Sequence, residues 1–387
     1  MQRQLSTLAK NGYETHILAI HDADLPTSER NPEYELRRVK LRSRYCGKGG
    51  LAKLLLYAEC AGRMIWAGAR LRPQLIHAND LSALPIADMV ARATGARLIY
   101  DSHELWSDPG YPTYQRFPGW MFRLAVLGEK YLARRAAAVI TVSEGIANRM
   151  AETMSISTPV VVRNLPNKLK RDYNTEHHDL HSALNLDPDV PIILHLGALC
   201  EDRGIEILIS ALKAVYEPAT VVLLGSGEST TYVERLKDQA RRMGVEKRVR
   251  FMPPVTPNEV CSLISDAQVG VSLLRNNTLN NQFALPNKLF EYLQAGVPVV
   301  VNAPSEKARL VEAYQVGETF LDGDASGLAQ ALNLILADAN RRDYYRVMAR
   351  KAAAELNWQQ EEERLLAIYR RVAPNEPFLL ESSCAGR

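Results

Sequence analysis

Residues 285–301 read LPNKLFEYLQAGVPVVV, a pattern typical of an α-helix followed by a buried strand. Pro286 can open the helix, because the N–H that proline lacks has no partner in a first turn, and Gly296 can close it with a left-handed cap. Pro298 then prevents the helix from continuing. The valines at 299–301 form a β-branched run, as expected of a strand in a parallel sheet that is covered on both faces.

The charged and apolar residues of this helix fall on different sides. Lys288 and Glu291 lie three residues apart and share one face, whereas Leu289, Tyr292 and Leu293 form the packed side. Two interpretations remain open at this point. The pair is either a solvated ion pair on an ordinary helix or a cation and a carboxylate that act together on a ligand.

Length and composition limit the possible classes of protein. At 387 residues the chain exceeds what one hydrophobic core usually serves, so we expect two domains. The net charge of +3 is too small to imply nucleic acid as a partner. The five cysteines are scattered without metal-ligand spacing, which is typical of reduced thiols. Since no apolar run could span a bilayer and no signal peptide is recognised, we expect a cytoplasmic protein.

The N-terminal half contains two successive βα units, with strands near 74–79 and 97–101 and a helix at 84–94 between them. Parallel strands end at the same edge of a sheet, and ligands of such sheets bind there. Polar side chains that fall at these strand ends are His77, Asn79, Asp80, His103 and Glu104.

The C-terminal half shows a series of strand-end loops. A buried strand at 192–196 runs into residues 197–204, a loop that begins and ends with glycine and precedes a helix. Such a loop lets a phosphate approach the backbone and the positive end of the helix dipole. A second strand, at 220–224, ends in the residues Gly225-Ser226-Gly227-Glu228. Strands at 249–255 and 266–274 follow before the helix at 286–296.

This ordered series, together with the string Asp101-x-His103-Glu104-Leu105, resembles the nucleotide-sugar glycosyltransferases of family 4. The resemblance implies an α/β protein of the GT-B fold, in which two Rossmann-like doubly wound parallel-sheet domains face each other and a C-terminal helix crosses back. Applied to this chain, it implies an acceptor-side domain over 1–167, a linker over 168–182, a nucleotide-sugar-binding domain over 183–356, a crossover helix over 357–373 and a tail over 374–387.

The resemblance also implies roles for individual residues. The donor diphosphate would be bound by Arg203, Gly204 and Lys288. The nucleoside would be bound by Gly225, Gly227, Glu228, Val255 and Glu291, with Glu291 on the ribose hydroxyls. The catalytic candidates are His103 and Glu104, of which His103 would hydrogen-bond and orient the transferred sugar; a histidine with a purely structural role is the alternative.

Three departures from the family pattern are visible in the sequence. The strand and glycine-rich loop that usually precede the helix at 1–10 are missing. Three explanations remain open: the chain is truncated, its start is misplaced, or the protein is a divergent form that lacks part of the site. Ala198 stands where the family has a second diphosphate-binding cation, and Phe283 stands where it has a sugar-binding glutamate. Candidates for contact with the sugar are then Asn280, Asn281, Gln282 and Leu285.

The implied reaction is transfer of a sugar, with retention of configuration, from a nucleoside diphosphate sugar to a glycan or glycolipid acceptor in cell-surface polysaccharide biosynthesis. We expect no cofactor and no metal, because the motifs Asp22-Ala23-Asp24, Asp187-Pro188-Asp189 and Asp322-Gly323-Asp324 look like turns. A nicotinamide enzyme is disfavoured because Gly-x-Gly-x-x-Gly is absent from the sequence. A non-catalytic GT-B protein that binds a nucleotide sugar or a partner transferase is the remaining alternative.

A cluster of cations precedes an apolar helix in the N-terminal half. The cluster consists of Arg37, Arg38, Lys40, Arg42, Arg44, Lys48 and Lys53, and the apolar residues are Leu54, Leu55, Leu56, Tyr57, Met64, Ile65 and Trp66. One interpretation is a peripheral contact with an anionic membrane surface, where a lipid-linked acceptor would be presented. A solvated loop before an ordinary core helix explains the same residues.

Overall fold

The computed structural model of the protein describes residues 2–22, 24–43, 50–110, 118–168, 179–216 and 218–373. Parts of several sequence features lie outside the described residues. These are Ala23 of the first Asp-x-Asp motif, Arg44 and Lys48 of the basic cluster, most of the predicted linker (169–178) and the tail at 374–387.

The strands of the N-terminal half form two sheets. They are β1 (His16–Ile20), β2 (Ser28–Asn31), β3 (Tyr34–Val39), β4 (Leu75–Asn79), β5 (Arg97–Ser102), β6 (Ala138–Thr141) and β7 (Val160–Val161). The first sheet has the order β1-β3-β2 and the second the order β4-β5-β6-β7. A doubly wound sheet has its first strand in the centre. The described residues contain no strand that joins β1 to β4, so each of these forms an edge of its sheet.

Helices cover both sides of these sheets: α1 (Gln2–Lys10), α2 (Gly50–Leu71), α3 (Asp80–Thr94), α4 (Gly119–Ala133) and α5 (Glu144–Met154). The helix α3 lies between α2 and α4. It approaches α2 closely at Gly68, where an added Cβ would lie 3.0 Å from a methyl group of Val90. None of the described helices is long and apolar enough to cross a bilayer.

The C-terminal half contains one six-stranded parallel sheet. Its strands are β8 (Ile192–Leu196), β9 (Thr220–Leu224), β10 (Val249–Met252), β11 (Val269–Ser272), β12 (Val299–Ala303) and β13 (Gly317–Leu321), in the order β10-β9-β8-β11-β12-β13. Strands β8, β9 and β11 are fully buried. The order reverses between β8 and β11, so a ligand crevice is expected beyond their carboxyl ends.

The helices of this half lie on both faces of the sheet. They are α6 (Leu180–Leu184), α7 (Ile205–Ala211), α8 (Thr230–Arg242), α9 (Val260–Leu263), α10 (Leu279–Phe283), α11 (Asn287–Ala295), α12 (Glu306–Tyr314), α13 (Ala325–Leu336) and α14 (Ala339–Glu355). Separate hydrophobic clusters form on the two faces, as the α/β prediction requires.

The last helix, α15 (Trp358–Val372), returns to the N-terminal half. Its apolar residues join Leu8, Ile99 and Ile140 in one hydrophobic cluster. The indole N–H of Trp358 donates to Thr7 Oγ1 over 3.0 Å. The helix at the end of the chain therefore completes the core of the N-terminal half.

Two local predictions need correction. Arg37 and Arg38 lie on strand β3, which pairs with β1 and β2, so the first part of the basic cluster is neither a solvated loop nor a free cationic segment. Arg38 Nη1 pairs with Glu29, and Arg37 pairs with Glu35. Pro286 is the residue before α11 and not its first residue, with φ −64° and ψ 142°.

The turn interpretation of the Asp-x-Asp motifs is supported where the chain is described. The side chain of Asp187 accepts from the N–H of Asp189, and Asp324 caps α13 by accepting from Ser326. Cys60, Cys200 and Cys261 are free thiols.

Candidate functional site

A cleft of about 490 Å³ lies between the two halves, beyond the carboxyl ends of β8 and β11. The N-terminal half contributes Arg3, His103, Glu104 and Asn164 to its walls. The C-terminal half contributes Gly197, Ala198, Arg203, Asn280, Asn281, Leu285, Lys288 and Glu291. The sequence-predicted residues His103, Glu104, Arg203, Lys288 and Glu291 thus meet around one cavity, although they are up to 188 positions apart in the chain (291 minus 103).

The helix α11 is held against the sheet by Tyr292. The phenol oxygen donates to Leu194 O over 3.0 Å and accepts from the N–H of Leu196 over 2.9 Å. An added Cβ on Gly270 would lie 2.7 Å from the Tyr292 ring, so this close contact requires glycine. Gly296 ends the helix with φ 72°, in the left-handed region predicted for it. This anchoring fixes the preceding turn of α11 over the end of β8.

Lys288 is buried in that turn, with its Nζ atom 3.4 Å from Nε2 of His195. Burial, together with the nearby guanidinium of Arg203, lowers the pKa of Lys288 to about 7. Lys288 is only 9% exposed, and Glu291 is partly buried. The interpretation as a solvated ion pair is therefore wrong, and the buried amino group of Lys288 faces the cleft.

Glu291 lies one turn after Lys288 in the same cavity. Burial raises the pKa of its carboxyl group, against the opposing effect of Arg3 from the other half. The guanidinium of Arg3 donates to Oδ1 of Asn164 over 3.3 Å, and burial lowers its pKa. Glu291 and Arg3 therefore bring opposite charges together across the cleft.

The predicted glycine loops lie side by side at the ends of β8 and β9. An added Cβ on Gly225 would lie 2.0 Å from Gly197 O, so the two backbones can touch only because a side chain is absent. The N–H of Glu228 donates to Leu199 O over 3.0 Å, and Leu199 also bridges to Gly227. Gly204 lies between Arg203 and the first residue of α7, with φ 66°.

The predicted nucleoside loop is close to the cleft but is not part of its wall. Gly204, Gly225, Gly227, Glu228 and Val255 lie in the loops that adjoin the cavity, whereas Arg203 lines it. Val255 follows β10, the neighbour of β9, and packs against the core of this half.

His103 lies opposite α11, between two carboxylates of its own half. Its Nε2 is 3.4 Å from Asp101 Oδ2, and its Nδ1 is 3.7 Å from Asp80 Oδ2. The hydrogen bond with Asp101 raises the pKa of His103, which favours the imidazolium form. A separation of 3.7 Å is too long for a hydrogen bond, so the Nδ1–H can donate to a ligand oxygen.

Asp101 is the buried centre of a polar network beneath His103. Its Oδ2 accepts from Nε2 of His77 over 3.0 Å and from the amide of Gln4 over 3.1 Å. Burial opposes ionisation, but the hydrogen bonds from His103 and His77 outweigh it and hold the pKa of Asp101 well below its usual range. His77 Nδ1 in turn lies 2.9 Å from the hydroxyl of Tyr369 on α15. The crossing helix is thereby connected to His103.

The segment before α11 spans the cleft and contacts the loop after His103. The amide of Asn280 donates to Glu104, its Oδ1 accepts from the N–H of Leu105, and its own N–H donates to Asp108. Burial raises the pKa of Glu104, although the bond from Asn280 opposes this. Glu104, predicted as a catalytic candidate, thus also joins the two halves.

The other candidates for contact with the sugar differ in position. Asn281 and Leu285 line the cleft, but the Gln282 side chain donates to Asn276 O and does not line it. Phe283, at the position of the family glutamate, packs on α5: an added Cβ on Gly145 would lie 2.4 Å from its ring. An apolar contact between the halves therefore replaces a polar sugar contact at this position.

Models of two glycosyltransferase domains match the chain. The glycosyl transferase 4-like domain matches residues 1–167, and the domain described as glycosyl transferases group 1 matches residues 190–338. The chain belongs to the family 4 glycosyltransferases.

Named relatives and solved structures agree with this family. The chain is 28% identical over 200 residues to the D-inositol 3-phosphate glycosyltransferase of Xylanimonas cellulosilytica, a match that covers 51% of this chain and 46% of the relative. The chain spans about half the length of the curated relatives that it matches, with 46%, 63% and 45% covered in three of them.

Two solved structures match over nearly the whole chain. The sucrose-phosphate synthase of Thermosynechococcus elongatus superposes with a TM-score of 0.78 at 20% identity, covering 97% of this chain and 93% of that one. The Anabaena protein HepE, in complex with UDP and glucose, gives a TM-score of 0.73 at 17% identity with 95% of each chain covered. The GT-B fold with two Rossmann-like domains is thereby confirmed.

Several residues of the family 4 site escaped prediction from the sequence. Arg3 and Gln4 lie on the first helix, and Trp358 begins the last one; all three line the cleft, but no local motif marks them. His195 lies inside a buried strand and carries no such signal either. Asp101 was not predicted as a site residue either, but it belongs to the motif string at 101–105, which placed it close to His103 in the sequence.

Proposed function

We propose that this protein transfers a sugar from a nucleoside diphosphate sugar to a glycan or lipid-linked acceptor, with retention of configuration, in the biosynthesis of a cell-surface polysaccharide or glycolipid. The observation that carries the proposal is the buried amino group of Lys288 beside the guanidinium of Arg203, opposite His103, in a cleft between two Rossmann-like domains. We further propose that the enzyme acts in the cytoplasm, at the inner face of a membrane.

In the proposed reaction, the bond between the anomeric carbon and the diphosphate breaks. The acceptor oxygen bonds to that carbon on the same face and gives up its proton to an oxygen of the departing diphosphate. Negative charge accumulates on the departing diphosphate, and Arg203, Lys288 and the loop before α7 would stabilise it. These cations can supply the neutralisation that a divalent metal supplies elsewhere, so the proposal requires no metal and no cofactor.

The remaining residues take roles from their positions. Glu291 would accept hydrogen bonds from the ribose hydroxyls, and the Nδ1–H of His103 would donate to the sugar. Ala198 supplies no cation, and the Lys288 side chain lies beside Gly197, with its Cε 3.7 Å from where a Cβ on Gly197 would be. Asn281 and Leu285 would contact the sugar from the other wall.

Donor binding is tested first, with a thermal-shift screen against UDP, GDP, ADP and TDP. A ligand at about 100 times its Kd, bound only to the folded protein, stabilises it by about 2.7 kcal/mol. Glu291→Gln should weaken binding of the nucleoside as well as of the diphosphate, whereas Lys288→Ala should weaken only the diphosphate. If both variants bind every ligand as the parent does, the donor site is assigned wrongly.

Turnover is tested with the sugar conjugate of whichever nucleotide binds, with and without oligosaccharide and lipid-linked acceptors. Acceptor-dependent release of the nucleoside diphosphate supports a transferase. Tight nucleotide binding without hydrolysis or transfer, across the acceptors tested, would instead support a binding subunit.

A further inference from the structure

The outer layer of the N-terminal half, formed by α2, α3 and α4, exposes many large apolar side chains. They are Leu54, Leu55, Tyr57 and Trp66 on α2, Met89 on α3, and Trp120, Met121, Leu124, Leu127 and Tyr131 on α4. Exposed apolar side chains are ordinary when they are scattered singly. Their concentration on three adjacent helices is not.

The helix α4 shows the feature most clearly. Trp120, Leu124, Leu127 and Tyr131, which we call the α4 stripe, follow one another at intervals of four, three and four residues and so occupy one face. Each is more than half exposed, and Trp120 reaches 62%. An amphipathic helix of a globular protein normally turns such a stripe toward the core.

In α4 the face that is turned toward the core carries a carboxylate. Glu129 is buried, and its Oε1 accepts from the hydroxyl of Tyr100 over 2.7 Å. Burial raises the pKa of Glu129 to about 7. The helix is therefore fixed by a polar contact beneath the site and presents its apolar side outward.

The acidic and basic side chains of the three helices also differ in exposure. Their carboxylates are Glu59, Asp80, Asp88 and Glu129, and none of these is exposed. Glu59 accepts from the backbone of Arg42 and Ser43, and Asp88 pairs with Arg92 and Arg135. Exposed cations on the helices and directly after α4 are Arg70, Arg92, Arg123, Arg134 and Arg135, of which Arg92 and Arg135 share the single carboxylate of Asp88. The face is thus apolar and cationic.

We propose that the outer face of α2, α3 and α4 binds the surface of an anionic lipid bilayer, with the α4 stripe inserted at the level of the headgroups. Tryptophan and tyrosine favour that level because one end of the ring system is apolar and the other is polar. The exposed arginines complement the anionic headgroups. A protein partner would explain the apolar residues, but it would not require that every carboxylate turn inward.

The inference deepens the proposed lipid-linked acceptor and partly rests on it, but bilayer binding is measured without any turnover. It shares the apolar residues Leu54, Leu55, Tyr57 and Trp66 of α2 with the membrane contact suggested by the sequence, but it replaces the basic cluster of that hypothesis with the α4 stripe. Arg37 and Arg38 of that cluster are paired with carboxylates in the first sheet, whereas the α4 stripe was not recognised in the sequence at all.

The test is co-sedimentation of the full chain with vesicles of phosphatidylcholine alone or with 30% phosphatidylglycerol. The stripe variant is Leu124→Glu/Leu127→Glu. The matched control is Leu334→Glu/Val347→Glu, which places the same charges at apolar residues of α13 and α14 that are 46% and 49% exposed. Circular dichroism melts show whether each variant is folded.

We expect the parent and the control to bind the anionic vesicles, with less bound at 0.5 M salt, and the stripe variant to bind at least tenfold more weakly. A parent that stays in the supernatant with anionic vesicles at low salt overturns the proposal. So does equal binding by both variants. A parent that is dimeric and does not bind vesicles, while the stripe variant is monomeric, assigns the face to a second copy of the chain. Nucleotide binding or turnover that persists in the stripe variant would leave the proposed function intact in each of these cases.

Discussion

At the scale of single residues, the site depends on groups whose charges are held in unfavourable surroundings. Lys288 was marked by its position on α11, but its burial against His195 comes from the way that α11 packs on β8 and has no local signal in the sequence. The same holds for Asp101, whose partners come from three other elements. The sequence therefore indicates which residues are at the site, whereas their pKa values depend on how the elements pack around them.

The lowered pKa of Lys288 predicts that nucleotide affinity depends on pH. With a free-state pKa of about 7, the ammonium form dominates only below that pH. A bound diphosphate raises this pKa, so affinity is greatest below pH 7 and falls about tenfold per pH unit between the free and bound values. Titration calorimetry with UDP, or the diphosphate that the screen selects, from pH 7 to 9 measures the slope.

Lys288→Met should bind more weakly at pH 7 and lose most of this slope. The corresponding nucleoside, which has no phosphate, serves as the control and should show no slope attributable to Lys288. If the parent and Lys288→Met have the same slope with the diphosphate, the lysine is not the titrating group.

His103 is predicted to act on transfer and not on donor binding. It comes from the half opposite to the nucleotide loops, so His103→Ala should lower kcat by about a hundredfold and leave the nucleotide Kd nearly unchanged. Steady-state kinetics and calorimetry on the same preparation separate the two effects. Full turnover in the variant would assign the histidine to structure.

Asp101→Asn tests whether the carboxylate acts through His103. The hydrogen bond that Asp101 accepts from His103 raises the pKa of His103, so removal of the carboxylate lowers that pKa. If transfer needs the imidazolium form, kcat falls as pH rises through this pKa, and the fall should begin at lower pH in Asp101→Asn. An unshifted pH profile would remove the positioning role.

At the scale of elements, local patterns identified the helices and strands around the site well. The stretch 285–301 contains α11 and the start of β12, as predicted. Its signals are a proline before the helix, a glycine in the left-handed conformation after it and a run of valines, and each of them determines only the conformation of nearby residues. The antiparallel pair β2 and β3 was missed, since its charged residues resemble a loop and its stability comes from pairing with β1. The docking of α10 was also missed, because its contacts are distant in sequence.

The hydrogen bonds of Asn280 on α10 predict that this residue holds the two halves together. Asn280→Ala leaves the buried N–H of Leu105 and one oxygen of Glu104 without this partner, and each unsatisfied group costs about 1–3 kcal/mol. The cleft should therefore open more readily, which small-angle scattering would detect as a larger radius of gyration. Asn281→Ala is the matched control, because its side chain bonds to Asn277 within the same half. Equal radii for both variants and the parent would show that Asn280 does not hold the cleft closed.

At the scale of the whole molecule, the two halves depend on each other through α15. The two-domain α/β architecture could be expected from the length of the chain and the order of its motifs, and the crossover helix from the resemblance to the family. The division of the N-terminal strands into two sheets could not, because it depends on which strands are available to pair. The core shared by Leu8, Ile99 and Ile140 with α15 likewise has no signature in any one segment.

This shared core predicts that a mutation near the end of the chain destabilises its beginning. Leu365 on α15 is fully buried among residues of the N-terminal half, and Leu365→Ala should cost about 2–5 kcal/mol through lost contacts and the cavity left behind. Leu332→Ala is the matched control, because Leu332 is equally buried but lies in the core of the C-terminal half. Native-state hydrogen exchange should show faster opening of β5 and β6 in Leu365→Ala, and of β8 and β9 in Leu332→Ala. If Leu365→Ala instead accelerates exchange only within α15, the helix is attached to a core that is already complete, and the N-terminal half does not need it to fold.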